Sequence, residues 1–296
     1  MTKLSVNVNK IAWLRNARTG DIPNIKMCAE WILSAGAHGI TVHPRPDMRH
    51  IRPSDVGILA DTVKSYPSAE LNIEGNPNTG PTDNGYPGFL KLVEDNRPNQ
   101  VTLVPDSEGQ LTSDHGWDLS KAESRKTLTD YVDTCHQIGA RVSLFVDPVI
   151  TQIDCVPETG ADRIELYTGP YAECVLAYGT HHPRTKECWI NYQKCTQTAV
   201  ALGLRVNAGH DLNLNNLPLF NSIGELAEVS IGHALISDAL RYGLEQTVYR
   251  YLKAINQISK KPWFDHSYIR NHDHNTMMKQ LNNSISIRNY IAICPN

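Results

Sequence analysis

The sequence predicts an α/β fold: a (β/α)8 TIM barrel that forms a single domain with a C-terminal extension. Strand-like runs alternate eight times with helical patterns, and eight such units in roughly 250 residues are typical of this barrel. The strands are rich in Val, Ile and Leu, which indicates burial on both faces, as in parallel sheets. A doubly wound open sheet is the alternative, which the lack of a Gly-x-Gly-x-x-Gly motif after any strand disfavours.

The predicted elements follow one another from the N-terminus. Strands are predicted at 4–10, 39–45, 70–75, 100–106, 141–147, 163–168, 204–208 and 228–232. The helices that follow them are predicted at 24–35, 54–66, 88–95, 121–138, 150–157, 186–202, 216–223 and 237–258. Gly36, Gly139 and Gly160 each precede an alanine and a strand, at the position where a helix commonly ends in a left-handed residue. These glycines support the alternation.

The composition of the chain changes after residue 259. The run Lys260-Lys261-Pro262 marks a break, and an Asn/Ser-rich segment follows it. We therefore expect a catalytic barrel over 1–259 and a polar extension over 260–296, part of it without fixed structure. His272 and His274 flank an aspartate, a pattern that imitates a metal site but is more typical of a solvated tail.

Charge and cysteine content exclude several classes of protein. The net charge is −3, which argues against a nucleic acid or membrane partner bound through bulk charge. No apolar run is long enough to cross a bilayer, and the N-terminus lacks a secretory apolar segment. The seven cysteines form no Cys-x-x-Cys pair. Reduced thiols and a cytoplasmic protein are the prediction.

The segment 43–50, at the end of the second predicted strand, is rich in cations and imidazoles. It contains His43, Arg45, Arg49 and His50, with Asp47 as the one acid. Such a group at a strand end of an α/β fold predicts an anion site, and phosphate is the usual anion. A solvated basic loop is the alternative.

Polar residues also close the other predicted strands. A barrel carries its catalytic groups at the C-terminal ends of its strands, and seven of the eight predicted strands end in polar or ionisable groups. Gly232 and His233 precede a helix, whose free N–H groups would suit a second phosphate. The remaining strand-end residues are Asn7, Asn9, Lys10, Glu74, Asp106, Asp147, Glu165, Thr168, Asn207, His210 and Asp211, with Thr112 in the loop after the fourth strand.

These segments together resemble the pyridoxine 5'-phosphate synthase family of vitamin B6 biosynthesis. The resemblance runs from about residue 4 to the end of the last barrel helix. Its ordered matches are the segments 6–12, 14–18, 39–45, 49–51, 72–74, 103–105, 143–147, 165–169, 206–210 and 231–234.

The resemblance implies an activity and a role for each site residue. The family condenses 3-amino-2-oxopropyl phosphate with 1-deoxy-D-xylulose 5-phosphate and releases phosphate and water. His43 and Glu74 would accept protons and His210 would donate one. The amino-ketone phosphate would be held by Asn7, Arg18, Asp211, Gly232 and His233, and the deoxyxylulose phosphate by Asn9, Lys10, Arg45, His50 and Thr112. No metal or cofactor is implied, and the assembly would be a homo-octamer.

The chain departs from the family's more familiar pattern at three positions. Asn9 and Lys10 replace an Asp-His pair, and Asp211 replaces a glycine after the donor histidine. Asp147 and Glu165 are interpreted as orienting groups or as members of ion pairs inside the barrel.

Two other functions are weighed. A metal-dependent barrel hydrolase would account for His and acidic residues at strand ends, although a lysine beside a metal ion is unfavourable. A non-catalytic phosphosugar-binding barrel would account for the three departures.

Overall fold

The structure is a computed structural model that describes residues 1–107 and 109–256. Within these residues, eight parallel strands close into a barrel in chain order, and β1 pairs with both β2 and β8. The strands are β1 Lys3–Asn7, β2 Gly39–Val42, β3 Glu70–Gly75, β4 Gln100–Leu103, β5 Arg141–Val146, β6 Arg163–Tyr167, β7 Arg205–Gly209 and β8 Leu226–Ile231. The predicted (β/α)8 barrel is confirmed.

Helices follow the strands around the outside of the barrel. They are α1 Asn9–Asn16, α2 Ile25–Ser34, α3 Pro53–Lys64, α4 Phe89–Asn96, α5 Ala122–Gln137, α6 Ile150–Ile153, α7 Gly169–Tyr178, α8 Pro183–Ala201, α9 Leu217–Asn221, α10 His233–Tyr242 and α11 Leu244–Asn256, with a 3₁₀ helix at Val156–Thr159. Gly36, Gly139 and Gly160 have the positive φ expected of residues at helix ends.

Some predicted boundaries were wrong. The helices α1 and α7 were not predicted, and the last predicted helix is divided in two at Gly243, whose φ is +79°. The first predicted strand is too long because Val8 leaves the extended conformation, with ψ at 9°, and α1 begins at Asn9. The second and fourth strands also end early, before His43 and Asp106. Both residues therefore lie in the loops that follow these strands.

The interior of the barrel is polar, contrary to the prediction of apolar strands on both faces. Ser5 and Thr41 share a hydrogen bond of 2.6 Å, and Asn72 donates to Thr41 at 3.4 Å and accepts from Thr102 at 3.1 Å. All four side chains are buried. Apolar residues alternate with them along the strands and are buried on the outer face of the barrel, for example Leu4 and Val6, Ile40 and Val42, and Leu71 and Ile73. The core therefore lies between the barrel and its helices.

The predicted extension over 260–296, with His272 and His274, lies outside the described residues. In the part that the structure does describe, no helix has the length and apolar character needed to cross a membrane.

Candidate active site

His43 and Glu74 form the centre of the site at the C-terminal mouth of the barrel. His43 Nδ1 lies 3.9 Å from Glu74 Oε2. The backbone N–H of His43 donates to Asn9 Oδ1 at 3.0 Å, which fixes the turn after β2 against the start of α1. Asn7 donates to Glu74 Oε2 at 3.4 Å and accepts the N–H of Asn9 at 3.0 Å. The ends of the first three strands are thus joined by hydrogen bonds.

Burial sets the protonation of both groups. The pKa of Glu74 is raised to about 8 by burial and, to a smaller extent, by the charge of Asp106. The pKa of His43 is held well below its usual value by burial, with the charges of Arg45 and other neighbours acting in the same direction. His43 is consequently neutral near neutral pH and can accept a proton, and Glu74 exchanges its proton close to that range.

Two arginines converge on one oxygen beside this centre. Arg45 and Arg49 donate to the carbonyl oxygen of Gln110, at 3.2 and 2.9 Å. Two guanidinium groups on one oxygen are the arrangement that a phosphate oxygen would require. A cavity of about 300 Å³ opens against both arginines and is also lined by Thr82 and Ser107. The anion site at 43–50 stays a prediction, and Arg45 and Arg49 are the groups that would hold the anion.

Lys10 and His50 complete this group, which we call the cation cluster: Lys10, Arg45, Arg49 and His50. Lys10 Nζ lies 4.4 Å above the ring of Trp13, whose centroid is 5.9 Å from that of His50. Partial burial and the charges of Arg45 and Arg49 lower the pKa of Lys10. A dianion bound here would relieve the mutual repulsion of Lys10, Arg45 and Arg49.

A buried ion pair holds the His50 segment in place. Arg15 donates to both oxygens of Asp55, at 2.6 and 2.8 Å, and to the carbonyl of His50 at 3.2 Å. The N–H of Ile51 donates to His50 Nδ1 at 2.9 Å. Burial first, and then neighbouring cations, lower the pKa of His50 to about 3. The neutral ring therefore carries its proton on Nε2 and can donate it to an anion.

Asp106 belongs to the site, although sequence reasoning gave it no role. It accepts hydrogen bonds from Arg45 at 2.5 Å and from Ser113 at 2.8 Å, and its Oδ2 lies 3.9 Å from His43 Nε2. Its other oxygen is buried without a hydrogen-bond partner among the described residues. Its place at the end of the fourth predicted strand was the signal that could have included it.

A second group of contacts surrounds His210, after β7. His210 Nε2 is 2.8 Å from Thr112 Oγ1, and its Nδ1 is 2.9 Å from Asp211 Oδ2. The ring packs edge-on against Tyr167, with centroids 5.2 Å apart. Thr168 donates to the carbonyls of Gly209 and His210 and holds this turn against β6.

Glu165 lies next to Gly209, and of its two interpretations, orienting group or member of an ion pair, the ion pair is wrong for the described residues. It is buried, and no described residue forms an ion pair with it or hydrogen-bonds to its Oε2. A Cβ on Gly209 would lie 2.1 Å from Glu165 Oε1, so any side chain at that position would displace the carboxyl group of Glu165. Burial, followed by the charges of Glu74 and Glu228, raises the pKa of Glu165 well above its usual value. Burial thus favours the neutral form of this carboxyl group beside the catalytic candidates.

Fewer contacts join the residues predicted to bind the amino-ketone phosphate than join the cation cluster. Gly232 approaches Asn7 so closely that an added Cβ would be 3.0 Å from Asn7 Cβ. His233 is exposed and is the first residue of α10, near enough to Asp211 for its charge to lower the pKa of that carboxyl group, after the larger effect of His210. Arg18 is exposed in the turn after α1. Within the described ranges, no hydrogen bond or ion pair joins its side chain to the other candidates.

Comparison with known proteins gives the family. The model of the pyridoxal phosphate biosynthesis protein PdxJ matches residues 4–257. The chain belongs to the PdxJ family. It is 50% identical over 255 residues to a pyridoxine 5'-phosphate synthase of Xanthomonas campestris pv. campestris, a match that covers 86% of this chain and 96% of that protein. A protein of the same name from Rhizobium meliloti is 48% identical, with 86% and 98% covered. The resemblance stated from the sequence is confirmed.

Solved structures show the same fold at low sequence identity. The 3-keto-L-gulonate-6-phosphate decarboxylase of Vibrio cholerae has a TM-score of 0.54 at 10% identity, with 87% of this chain and 98% of that chain covered. A D-psicose 3-epimerase of Clostridium cellulolyticum has a TM-score of 0.52 at 10% identity, with 87% and 99% covered. At this level of identity, the likeness of a PdxJ protein to these enzymes concerns the barrel alone.

Proposed function

We propose that the chain is a pyridoxine 5'-phosphate synthase. It condenses 3-amino-2-oxopropyl phosphate with 1-deoxy-D-xylulose 5-phosphate, closes the pyridine ring and releases phosphate and water. One observation carries the proposal: a neutral imidazole and a buried carboxyl group, His43 and Glu74, lie 3.9 Å apart beside two arginines that converge on one oxygen. Family membership and relatives of that name support it.

The cation cluster holds the deoxyxylulose phosphate. In the complex, a phosphate oxygen replaces the carbonyl of Gln110 between Arg45 and Arg49, His50 donates from Nε2, and Lys10 adds its charge. Asn9 and Thr112 complete this half of the site. Asn9 has the further task of holding the backbone of His43.

The amino-ketone phosphate occupies the other side of the mouth. Its phosphate binds at the start of α10, where Gly232 and His233 offer free N–H groups and the positive end of the helix dipole. Arg18 closes over it, and Asn7 and the backbone of Asp211 complete its contacts. This places its amine beside Glu74, because Asn7 touches both Gly232 and Glu74.

The chemistry requires proton transfers rather than a covalent bond to the enzyme. The substrate amine attacks the ketone of the deoxyxylulose phosphate, and loss of water gives an imine. His43 and Glu74 remove protons from carbon in the eliminations and ring closure that follow, and His210 supplies a proton to the departing oxygen. Each positioned acid or base contributes a factor of about 10²–10⁴ to the rate.

Purified protein with both substrates tests the proposal. We expect release of inorganic phosphate together with the ultraviolet absorption of a pyridine ring. Glu74→Gln should retain the affinity for both substrates and lower kcat by about 10²–10⁴. Glu30→Gln, the same change on the exposed face of α2, is the matched control and should retain full activity. Full activity in Glu74→Gln would remove this residue from the mechanism.

The two other functions make different predictions. A phosphosugar-binding barrel would bind both phosphates and form no pyridine. A metal-dependent hydrolase needs converging ligands, and in the part of the chain that is described no group of three His, Cys, Asp or Glu side chains could hold an ion. No observation favours either function over the synthase.

Assembly and compartment belong to the same proposal. The family resemblance implies a homo-octamer, which analytical ultracentrifugation would test. The described cysteines are all free thiols: Cys28, Cys135, Cys155, Cys174, Cys188 and Cys195. They suit the reducing cytoplasm.

A further inference from the structure

We propose that Asp211 is a positioning residue that fixes the ring of His210 for proton donation. The inference rests on the proposed function, in which His210 is the proton donor, and gives Asp211 a task beyond holding substrate. It starts from the position of the carboxylate, whose Oδ2 lies 2.9 Å from His210 Nδ1.

Both ring nitrogens of His210 have a partner. Asp211 is at Nδ1, and Thr112 Oγ1 is 2.8 Å from Nε2. Tyr167 packs edge-on against the ring from β6. The side chain of His210 is 21% exposed, so Nε2 can be reached by a substrate at the mouth of the barrel. These contacts define one orientation of the imidazole.

The carboxylate also selects the tautomer. An ionised carboxylate only accepts hydrogen bonds, and the hydrogen bond from His210 lowers the pKa of Asp211, which keeps it ionised. The ring must therefore carry a proton on Nδ1, and Nε2 is the nitrogen that gains and loses a proton. A buried carboxylate has this task in the Ser-His-Asp triad. Here Thr112 Oγ1 marks where a substrate oxygen would receive the proton.

The backbone at this turn is unfavourable for side chains. His210 and Asp211 are consecutive residues with φ of +83° and +56°. Non-glycine residues rarely adopt this region, and such strain is found at functional sites. A glycine at 211, the residue of the family's more familiar pattern, would relax the backbone but remove the carboxylate. The contact of the Asp211 carboxylate with His210 is therefore made at a conformational cost.

Two substitutions test the proposal. Asp211→Gly relaxes the backbone and removes the contact, so we expect unchanged or higher thermal stability, KM values within about twofold of wild type, and a kcat lower by about 10–100-fold. Asp211→Asn tolerates the same backbone and keeps the size of the side chain, but its amide can also donate to Nδ1, so the tautomer is no longer fixed and kcat should fall here as well. A defect in substrate binding alone would raise KM instead.

Glu225→Gly is the matched control. Glu225 is also an exposed acidic residue with positive φ, at +59°, in the turn before β8 and at the opposite end of the barrel. The substitution should give a similar gain in stability without a change in kcat. A kcat of Asp211→Gly within twofold of wild type would overturn the proposal.

A measurement on resting protein separates this inference from the proposed function. Solid-state ¹⁵N spectra of histidine-labelled protein, assigned with His210→Gln, should show His210 protonated on Nδ1 in the wild type. In Asp211→Gly and Asp211→Asn this preference should be lost. If the wild type forms no pyridine, the proposed function fails while the tautomer is still measured. An active wild type with the same tautomer in all variants overturns the positioning role.

Discussion

Arg45 donates a hydrogen bond of 2.5 Å to Asp106, and both side chains are buried. Asp106 thus links Arg45 of the cation cluster to His43, because Asp106 Oδ2 also lies 3.9 Å from His43 Nε2. In the absence of substrate, Asp106 accepts a hydrogen bond from the guanidinium group of Arg45, which is proposed to bind phosphate. Its charge also contributes to the raised pKa of Glu74, after the larger effect of burial.

Asp106→Asn should therefore move the pH profile. Removing this negative charge lowers the pKa of Glu74 from about 8, and the release of Arg45 acts in the same direction. A base must be deprotonated to act, so the acid limb of kcat/KM should move to lower pH. The profile of Asp61→Asn, an exposed site on α3, should match that of wild type. An acid limb that stays in place would show that Asp106 does not tune Glu74.

Glu74→Gln should change how stability depends on pH. The folded pKa of about 8 lies above the value near 4.5 expected in the unfolded chain. The stability that the protonated form confers is complete below about pH 4.5 and is lost as pH rises through about 8. Glutamine removes this loss, so the Tm of Glu74→Gln should rise relative to wild type between pH 5 and pH 8.5. The difference in Tm between Glu30→Gln and wild type should be the same at every pH. A difference in Tm between Glu74→Gln and wild type that is also independent of pH would mean that Glu74 is ionised in the folded protein.

His50→Ala should affect binding more than chemistry. The neutral ring donates from Nε2 to the anion, and a hydrogen bond to a charged group contributes about 1.5–3 kcal/mol, so KM for the deoxyxylulose phosphate should rise about 10–100-fold. KM for the amino-ketone phosphate and kcat should change much less. His136→Ala, at the far end of α5, should leave all three constants unchanged. An equal rise in both KM values would place His50 outside the deoxyxylulose phosphate site.

Arg15→Ala should destabilise the protein. It would leave Asp55 buried without its partner, which typically costs about 3–5 kcal/mol. Denaturant unfolding measures the loss, and residual folded protein should show weak binding of the deoxyxylulose phosphate because His50 loses its support. Lys64→Ala removes an ion pair whose partners are 70% and 80% exposed, and should leave the free energy of unfolding nearly unchanged. Equal effects of the two substitutions would contradict the structural role of Arg15.

The sequence by itself determined the barrel and which residues lie at its mouth. Eight strand-like runs alternating with helices imply parallel strands whose C-terminal ends meet at one rim, so His43, Glu74, His210 and Gly232 could be assigned to one site before any coordinates. The local sequence also predicted which glycines lie at helix ends. Boundaries were less certain, because the turns at Val8 and after Val42 depend on contacts between segments that are distant in the chain.

Only the tertiary structure decided which side chains touch and which carry a proton. Asp106 and Glu165 looked alike as strand-end acids, yet Asp106 accepts Arg45 while Glu165 is buried without an ionic partner among the described residues. Likewise, Asp211 was a departure from a glycine and a candidate substrate contact until the turn placed its carboxylate on His210. Burial and distance between residues far apart in sequence set these pKa values and contacts, and no local pattern encodes either quantity.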